Sequence, residues 1–277
     1  MSFEVFPPKR EAPLGPVKAA VAELAKAKPS FMSVTYGAAG GDSSANTSAI
    51  ASFVQNDCGV TALAHFTCVM ATREGVAHEA RELVRLGIEN VLALRGDIPA
   101  DTSYPSPEHF RHAVELVAFL RREFPQFCLG GACYPEGHPE CPHLRDDIAH
   151  LKAKVDAGLD FLTTQMFFDN AVFYSYLAKI RSAGVGVPVL PGIMPVANGR
   201  QIARICKLSG TMLPPRFRAI VDRFGDDPRA MLDAGVAYAT EQIVDLFANG
   251  VDHVHVYTMN RPEVAARIMD NLSGIVG

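Results

Sequence analysis

Glu4 is a carboxyl group within an apolar stretch of the chain. It lies in the run from Phe3 to Phe6, so folding is expected to remove water from its side chain. Loss of hydration raises the pKa of a carboxyl group and suits it to donate a proton near neutral pH. The alternative is a carboxylate that faces solvent on a frayed terminus, and Glu4 alone does not decide between the two. Glu4 is therefore a candidate general acid.

Arg95 and Asp97 follow the most apolar run, Val91 to Leu94, with Gly96 between them. Two side chains at this spacing, at the end of a strand, can point toward the same cavity. The guanidinium group offers a planar pair of donors to phosphate or carbonyl oxygens, and the carboxyl group offers negative charge beside a developing cation. The alternative is a surface turn with a local ion pair. We favour a functional site.

The segment 133–143 is the densest set of possible metal ligands. Zinc is bound by Cys and His, but the order Cys-x4-His-x2-Cys-x-His matches no usual structural site, and three prolines restrict how these ligands could converge. We therefore predict no metal here and expect Tyr134 and His138 to face a ligand. A metal-dependent hydrolase that uses this segment stays an alternative.

Four further polar residues have competing interpretations. Gln165 follows an apolar run, and its amide suits the amide edge of a heterocycle or equally a satisfied position in the core. His65 ends another run, where a histidine is more often a partner of a backbone group than a base. Lys152 and Lys154 share a predicted helix with Asp147, and a solvated face is the expected environment.

Eight short apolar runs alternate with helical patterns along the chain. Several runs are continuously apolar, which is typical of strands buried on both faces of a parallel sheet. The predicted strands are Phe3–Phe6, Phe31–Thr35, Ala62–Phe66, Val91–Leu94, Phe127–Cys133, Phe161–Thr164, Val187–Leu190 and Val254–Tyr257.

The segments between these runs carry apolar residues at helical spacing. We also expect Asp169 and Asn260 to act as N-caps, Pro262 to lie in the first turn of the last helix, and extra helices to fill residues 193–247. The predicted buried faces are Val17, Val21, Leu24 and Ala25; Val76, Ala80, Leu83 and Val84; and Val172, Phe173, Tyr176, Leu177 and Ile180.

This alternation is typical of two α/β architectures, a closed (β/α)8 barrel and an open doubly wound sheet. An open sheet with a dinucleotide site should show Gly-x-Gly-x-x-Gly after an early strand, and the nearest match, Gly37 to Gly41, has the wrong spacing. Seven of the eight runs end in polar or special residues, as expected where strand ends converge on the mouth of a barrel. We predict a single (β/α)8 TIM-barrel domain over residues 1–277.

Composition limits the class of protein. The 277 residues carry 26 basic and 30 acidic side chains with no block of like charge, which argues against a nucleic-acid-binding surface. No apolar run approaches the roughly 18 residues of a membrane span, and the first residues lack signal-peptide features. We expect a cytoplasmic enzyme with reduced cysteines that act mostly as small core residues: Cys58, Cys68, Cys128, Cys133, Cys141 and Cys206.

Nine segments, in one order along nearly the whole chain, resemble the methylenetetrahydrofolate reductase family in its compact bacterial form. Each segment alone is a weak match, and the ordered set is specific. The segments are Phe3–Pro8, Val34–Ala38, His65–Cys68, Ala93–Asp97, Tyr134–Pro139, Lys154–Gly158, Thr164–Asp169, Pro191–Pro195 and Tyr257–Arg261.

The resemblance implies a (β/α)8 barrel that holds FAD, accepts electrons from NADH or NADPH, and reduces 5,10-methylenetetrahydrofolate to 5-methyltetrahydrofolate. It implies that Glu4 is the general acid, that Asp97 stabilises an iminium cation and tunes the flavin, and that Gln165 holds the pterin. Gln201 and Arg261 match folate-contacting positions. The matched flavin-binding positions are Thr35, His65, Arg95, Gly96, Asp97, Ala132, Tyr134, His138, Asp147 and Lys154.

One position departs from the family pattern. Ile205 stands where many bacterial members have an aromatic residue that packs on folate or nicotinamide, and a loop that reads Asn198-Gly199-Arg200 precedes it. This departure predicts weak reduction by pyridine nucleotides. Two alternatives to the reductase remain, a non-catalytic flavin- or folate-binding barrel and the metal-dependent hydrolase. We expect a homo-oligomer, as barrels of this family tend to associate.

Overall fold

A computed structural model describes residues 1–8, 12–36, 43–98 and 108–276, with the side chains of 43 and 44 left out. The described strands are β1 Ser2–Val5, β2 Met32–Val34, β3 Ala62–Thr67, β4 Asn90–Leu94, β5 Cys128–Cys133, β6 Phe161–Thr164, β7 Val189–Leu190, β8 Gly192–Ile193 and β9 His255–Tyr257. The described helices are α1 Gly15–Ala25, α2 Ser43–Ser52 with a π-helical turn Phe53–Asp57, α3 Arg73–Arg85, α4 Ala113–Glu123, α5 Leu144–Asp156, α6 Asn170–Ser182, α7 Gly199–Ser209, α8 Pro215–Phe224, α9 Pro228–Ala248 and α10 Pro262–Asn271.

The strands form one parallel sheet that closes on itself at Pro191. The strand order is β7-β6-β5-β4-β3-β2-β1-β9-β8, and β7 and β8 are separated in the chain by Pro191 alone. Proline has no N–H to donate to a sheet, which explains the break. Its carbonyl still accepts a hydrogen bond from the His255 backbone at 2.9 Å. The two short strands therefore act as one broken seventh strand, and the predicted barrel is confirmed.

Each predicted apolar run contains a strand, with ends that differ by at most two residues. The expected Val187–Leu190 strand begins later, at Val189, and continues beyond Pro191 as β8. The run Gly37 to Gly41 lies outside the described residues. The open-sheet alternative is wrong because β1 pairs with both β2 and β9, and β8 pairs with β9.

The two faces of the sheet differ in polarity. Val5 and Val34 belong to the apolar layer between strands and helices, while Ser2, Glu4 and Ser33 alternate with them along β1 and β2. Since successive strand residues point to opposite faces, these polar residues face the barrel interior. The interior around β1 is therefore polar, and it is this face that positions the site.

The helices cover the outer face of the sheet. The predicted faces of α1, α3 and α6 are mostly buried, but Ala25, Val172 and Leu177 are half-buried. Val84 is exposed at 41% because it lies on the solvent side of α3. Asp169 caps α6 as predicted, since its side chain accepts a hydrogen bond from Ala171 N at 2.9 Å. The expected extra helices between 193 and 247 are α7, α8 and α9.

The predicted role of Asn260 as a helix cap is wrong. Helix α10 follows Arg261, and Pro262 lies in its first turn as expected. The Asn260 side chain instead binds the backbone of Phe6, accepting from its N at 2.9 Å and donating to its O at 2.8 Å. These two hydrogen bonds hold the residue after β1 against the connection between β9 and α10.

Two further findings complete the fold. All six cysteines lie within the described residues and none is paired in a disulfide; Cys68 and Cys133 are buried and the other four are half-buried. Among the described helices, none is long and apolar enough to cross a membrane.

Candidate active site

The Glu4 side chain lies inside the barrel, at the carboxyl end of β1. Thr258 Oγ1 donates a hydrogen bond to its backbone carbonyl at 2.7 Å and holds this part of β1 in position. Burial raises the pKa of the Glu4 carboxyl from 4.5 to about 8, against a smaller lowering by a hydrogen bond with Ser33. The alternative of a solvent-facing carboxylate on a frayed terminus is wrong, because β1 is paired on both sides and the Glu4 side chain is only 22% exposed. With a pKa of about 8, Glu4 carries its proton at neutral pH.

His65 faces Glu4 from β3. Its Nε2 is 3.5 Å from Glu4 Oε2 and makes no hydrogen bond to any described residue. The prediction that this histidine serves a backbone group is not met at this nitrogen, because the ring is directed into the barrel toward the carboxyl group. Burial lowers the pKa of His65 to about 4, so the ring is neutral at pH 7.

The end of β4 presents a fixed cation. Arg95 donates through both terminal nitrogens to Glu140, each at 2.6 Å, and through Nε to the Gly96 carbonyl at 3.2 Å. An ion pair exists, as the alternative interpretation held, but its partner comes from the distant loop after β5. The Arg95 side chain is 19% exposed and that of Glu140 is 58% exposed. Asp97 follows as an exposed acidic residue.

Gly96 is required by the backbone at this turn. Its φ is +87°, and a Cβ at this position would lie 2.8 Å from Val69 Cγ1. Only glycine adopts this conformation without strain. The turn therefore carries Arg95 and Asp97 in a backbone geometry that other residue types would disturb.

The end of β5 gathers an aromatic pair. The rings of Tyr134 and His138 meet edge to face, with centroids 4.6 Å apart. His138 N donates to Asp147 Oδ2 at 3.2 Å, and His138 Nδ1 accepts from Glu140 N at 3.1 Å. Burial raises the pKa of Tyr134 to about 12 and lowers that of His138. Both rings are thus uncharged near neutral pH and able to form hydrogen bonds.

Lys154 is not on a solvated face of α5, contrary to the prediction. Its side chain reaches the end of β5, where Nζ donates to the Ala132 carbonyl at 2.7 Å. Burial lowers its pKa. Lys152, two residues earlier, points outward and pairs with Asp156, as expected. Because the two lysines are only two positions apart, they lie on different sides of the helix.

The possible metal ligands of segment 133–143 do not converge. Among the described residues, no three His, Cys, Asp or Glu side chains are grouped as metal ligands. Cys133 is buried, with its pKa raised to about 12, while Cys141 donates to the His143 carbonyl at 3.5 Å. The metal-dependent hydrolase therefore has no support in this part of the chain.

Gln165 lies where β6 ends, beside the β5 loop. Its backbone N donates to Cys133 O at 2.7 Å, and its side-chain oxygen accepts from Met166 N at 2.9 Å. The amide is half-buried and lies beside Tyr134 and Thr211. Its oxygen is fixed by the neighbouring N–H, so its orientation is set before any ligand binds.

Three other residues singled out from the sequence lie at the same end of the strands. Thr35 follows β2, and its N donates to Val5 O at 3.0 Å. Arg261 follows β9 and pairs with Glu263 at 2.7 Å. Gln201 is exposed on α7.

The segment before Ile205 is helical. Asn198 caps α7 by accepting from Arg200 N at 3.1 Å, so Asn198-Gly199-Arg200 begins a helix where a loop was expected. Gly199 packs against Gly225, since an added Cβ would lie 2.5 Å from the Gly225 Cα. Ile205 itself is partly buried against an apolar cluster that includes Met166.

Sequence reasoning missed a group of polar residues beneath Glu4. Ser2, Ser33, His253 and His255 make hydrogen bonds to one another in the barrel interior. Two features could have revealed them: Ser2 and Glu4 share one face of β1, and His253 and His255 alternate with Val254.

Comparison with known proteins gives a consistent family. The family model of methylenetetrahydrofolate reductase matches residues 1–273. Methylenetetrahydrofolate reductase 1 of Schizosaccharomyces pombe is 35% identical over 98% of this chain, which spans 45% of that protein. The 5,10-methylenetetrahydrofolate reductase of Escherichia coli K12 is 34% identical over 98% of this chain and 90% of its own length. The chain thus spans about half of the yeast relative and most of the bacterial one.

A solved structure shares the fold. An uncharacterized Clostridium thermocellum protein, which binds two copies of 5-methyl-5,6,7,8-tetrahydrofolic acid, aligns with a TM-score of 0.65 over 98% of this chain and 92% of its own. Its sequence identity is 12%, so the likeness concerns the fold alone.

Proposed function

The chain belongs to the methylenetetrahydrofolate reductase family, and from this premise we propose that it reduces 5,10-methylenetetrahydrofolate to 5-methyltetrahydrofolate. Electrons come from NADH or NADPH through bound FAD, and the product supplies methyl groups for one-carbon metabolism and methionine synthesis. The observation that carries the proposal is the Glu4 carboxyl, whose raised pKa of about 8 leaves it protonated at neutral pH at the carboxyl end of β1.

The residues at the ends of β4 and β5 fit a flavin dinucleotide. Arg95 and Lys154 provide cations, and Tyr134 and His138 provide further hydrogen-bonding groups. When bound, FAD supplies the hydride that reduces the one-carbon unit. The chain's own part is to hold the dinucleotide against the strand ends and to keep the flavin next to the folate.

The ion pair of Arg95 with Glu140 does not block this role. Glu140 is mostly exposed, and exposed ion pairs contribute only about 0–1 kcal/mol of stability. A pyrophosphate oxygen can replace that carboxylate, since the Arg95 fork suits either anion. Arg95 is thus already oriented for a phosphate before the cofactor binds.

Glu4 supplies the proton that opens the folate ring. The proton passes to the N10 amine as the bond between N10 and the methylene carbon breaks, and the bonding electrons stay on N10. The remaining N5-methylene iminium cation accepts hydride. Asp97, at the end of β4, contributes negative charge near that cation, and Gln165 offers its oriented amide to the pterin. We propose that Gln201 and Arg261 contact the rest of the folate, with Arg261 as a cationic partner for its carboxylates.

An anaerobic titration tests the proposal. The FAD-loaded protein is mixed with 5-methyltetrahydrofolate while the visible absorbance of the flavin is followed. Bleaching is expected, because the reverse half-reaction returns a hydride to the flavin. If NADH bleaches the flavin and the folate does not, the folate assignment is wrong. If FAD does not bind, the flavin mechanism is wrong.

A further inference from the structure

A row of hydroxyl and imidazole groups continues from Glu4 through the barrel interior. Ser33 hydrogen-bonds the Glu4 carboxyl, and Ser33 Oγ is 3.0 Å from His255 Nε2. His255 Nδ1 is 2.7 Å from Ser2 Oγ, which in turn is 2.9 Å from His253 Nε2. The two serines and the two imidazoles are each within hydrogen-bond distance of the next, and His255 Nε2 lies 4.0 Å from Glu4 Oε2, so the row leads from Glu4 to His253.

The row leads away from the mouth of the barrel. The strand register pairs Glu4 with Tyr257 and Ser2 with His255, so Ser2 and His255 lie two residues closer to the amino ends of their strands. His253 precedes β9 and is half-buried, whereas Ser2, Ser33 and His255 are buried. The row therefore connects Glu4 with the solvent at the end of the barrel opposite the mouth.

Both imidazoles are in the form that can pass a proton. Burial lowers the pKa of His255 to about 3 and that of His253 to about 4, so both rings are neutral at pH 7. A neutral imidazole has one donor and one acceptor nitrogen, and a serine hydroxyl both donates and accepts. Every member of the row can thus take a proton on one side and release one on the other.

The surroundings hold the rings in place and contain few charges. The Phe31 ring stacks on His253 and His255, with centroids 5.6 and 5.5 Å away. The other titratable groups that act on the row are His65 of β3, Tyr257 of β9 and the amino group of Met1. No carboxylate other than Glu4 pairs with these two rings among the described residues.

We infer that Ser33, His255, Ser2 and His253 form a relay that returns a proton from solvent to Glu4. The inference rests on the proposed function, in which Glu4 loses one proton in every turnover. The relay gives a function to buried polar groups that lie away from the mouth of the barrel and outside the apolar layer between strands and helices. It also lets Glu4 regain its proton while ligands cover the mouth.

The transfers balance. Ser33 donates its hydroxyl proton to the Glu4 carboxylate and takes the Nε2 proton of His255. His255 Nδ1 takes the hydroxyl proton of Ser2, and Ser2 takes the Nε2 proton of His253. Water protonates His253 Nδ1, so one proton enters, one reaches Glu4, and no ring becomes charged. Reorientation of the rings and hydroxyls then restores the starting tautomers.

The kinetic test uses Ser2→Ala, which removes the middle of the relay without touching Glu4. In the FAD-loaded enzyme, the first reoxidation of reduced flavin by 5,10-methylenetetrahydrofolate should keep its rate, because Glu4 begins protonated. Steady-state turnover, with the flavin kept reduced by excess dithionite so that slow reduction by NADH does not limit it, should fall by about 10²-fold, the lower end of what proton-transfer groups contribute. Ser48→Ala, a buried serine outside the row, is the matched control and should change neither rate.

Equal slowing of both rates, or of neither, would overturn the relay. If wild-type reduced flavin is not reoxidised by the folate at all, it is the proposed function that fails. If Ser2→Ala does not fold, His253→Ala is tested in its place, because it removes the imidazole at the solvent end of the row. Added imidazole should then restore turnover, and an absence of rescue would count against the relay.

A second measurement needs no cofactor. Nitrogen-15 NMR of the unloaded protein follows exchange of the His255 ring N–H with water. The relay predicts that this exchange is about 10²-fold slower in Ser2→Ala than in the wild type, the lower end of the effect of losing a proton-transfer group. Equal exchange in both proteins would contradict the relay even if the enzyme is the proposed reductase.

Discussion

Glu4 Oε2 and His65 Nε2 lie 3.5 Å apart in the barrel interior, and neither group is charged at neutral pH. Burial raises the pKa of the Glu4 carboxyl to about 8 and lowers that of the His65 ring to about 4. In water the carboxyl would lose its proton first, so the barrel has reversed the order in which the two groups titrate. Of the two groups it is therefore Glu4 that holds a titratable proton at neutral pH, as a general acid requires.

Glu4→Gln should abolish folate chemistry and leave the flavin reducible. The amide keeps the size and hydrogen-bonding capacity of the side chain but cannot donate an acidic proton, so the rate of the folate half-reaction should fall about 10²- to 10⁴-fold. Stopped-flow absorbance of the reduced enzyme mixed with 5,10-methylenetetrahydrofolate measures this rate.

The control for this variant is reduction of its flavin by NADH, which involves no step at Glu4. A variant that loses both half-reactions would point to a damaged fold, and one that retains the folate step would remove Glu4 from the mechanism. A purely binding barrel, the second alternative from the sequence, predicts no folate step in the wild type either.

Stability should respond to pH through the same carboxyl group. The pKa of Glu4 is about 8 in the folded chain and near 4.5 when unfolded, so between these values the folded state holds the extra proton. The Glu4 contribution is therefore fully present below about pH 4.5 and is lost as the pH rises through 8. Glu4→Gln does not titrate, so its stability relative to the wild type should increase from pH 5 to pH 8.

Urea denaturation at the two pH values measures this difference. Glu23→Gln, at an exposed helical position of α1, is the control. Its stability relative to the wild type should be the same at pH 5 and pH 8. A difference between Glu4→Gln and the wild type that is the same at pH 5 and pH 8 would show that Glu4 is not desolvated.

Arg95 and Glu140 should have opposite effects on flavin binding. Removal of the cation by Arg95→Gln takes away charged hydrogen bonds worth about 1.5–3 kcal/mol each, so FAD affinity should fall roughly 10-fold or more. Glu140→Gln removes the competing carboxylate and should strengthen binding. Quenching of flavin fluorescence on titration with protein gives both affinities.

Arg216→Gln, which breaks the exposed ion pair with Glu241, is the matched control and should leave FAD affinity unchanged. If Glu140→Gln weakens binding as much as Arg95→Gln does, the ion pair supports the loop structure and Arg95 is not the contact to the phosphates.

The strands and the barrel could be predicted because local sequence determines them. Apolar runs end in polar residues along the chain, and the apolar neighbours of Glu4 made its desolvation one of two possible outcomes. The sequence did not predict which residue a side chain contacts when that residue comes from a distant part of the chain. Asn260 resembles a helix cap locally, but its side chain binds Phe6, which lies 254 positions away.

Lys154 and Arg95 show the same limit. Helical spacing indicates the side of α5 on which Lys154 lies, but the end of β5 that it reaches is set by the closure of the barrel. The partner of Arg95 depends on the path of the loop that carries Glu140. In contrast, the alternation of His253 and His255 with Val254 could have predicted the polar row, since two polar residues on one face of an apolar strand indicate a polar barrel interior.

Ile205 should limit reduction by pyridine nucleotides. The resemblance to bacterial relatives places an aromatic residue here, and the structure gives Ile205 a half-buried position against the apolar cluster that includes Met166. Without a ring to stack on nicotinamide, reduction of the flavin by NADH is expected to be slow, and Ile205→Phe should accelerate it. NADH oxidation with menadione as the electron acceptor measures this rate. Leu208→Phe adds the same ring at an exposed position of α7 and should have no effect. Rapid NADH oxidation by the wild type would show that this aromatic contact is dispensable.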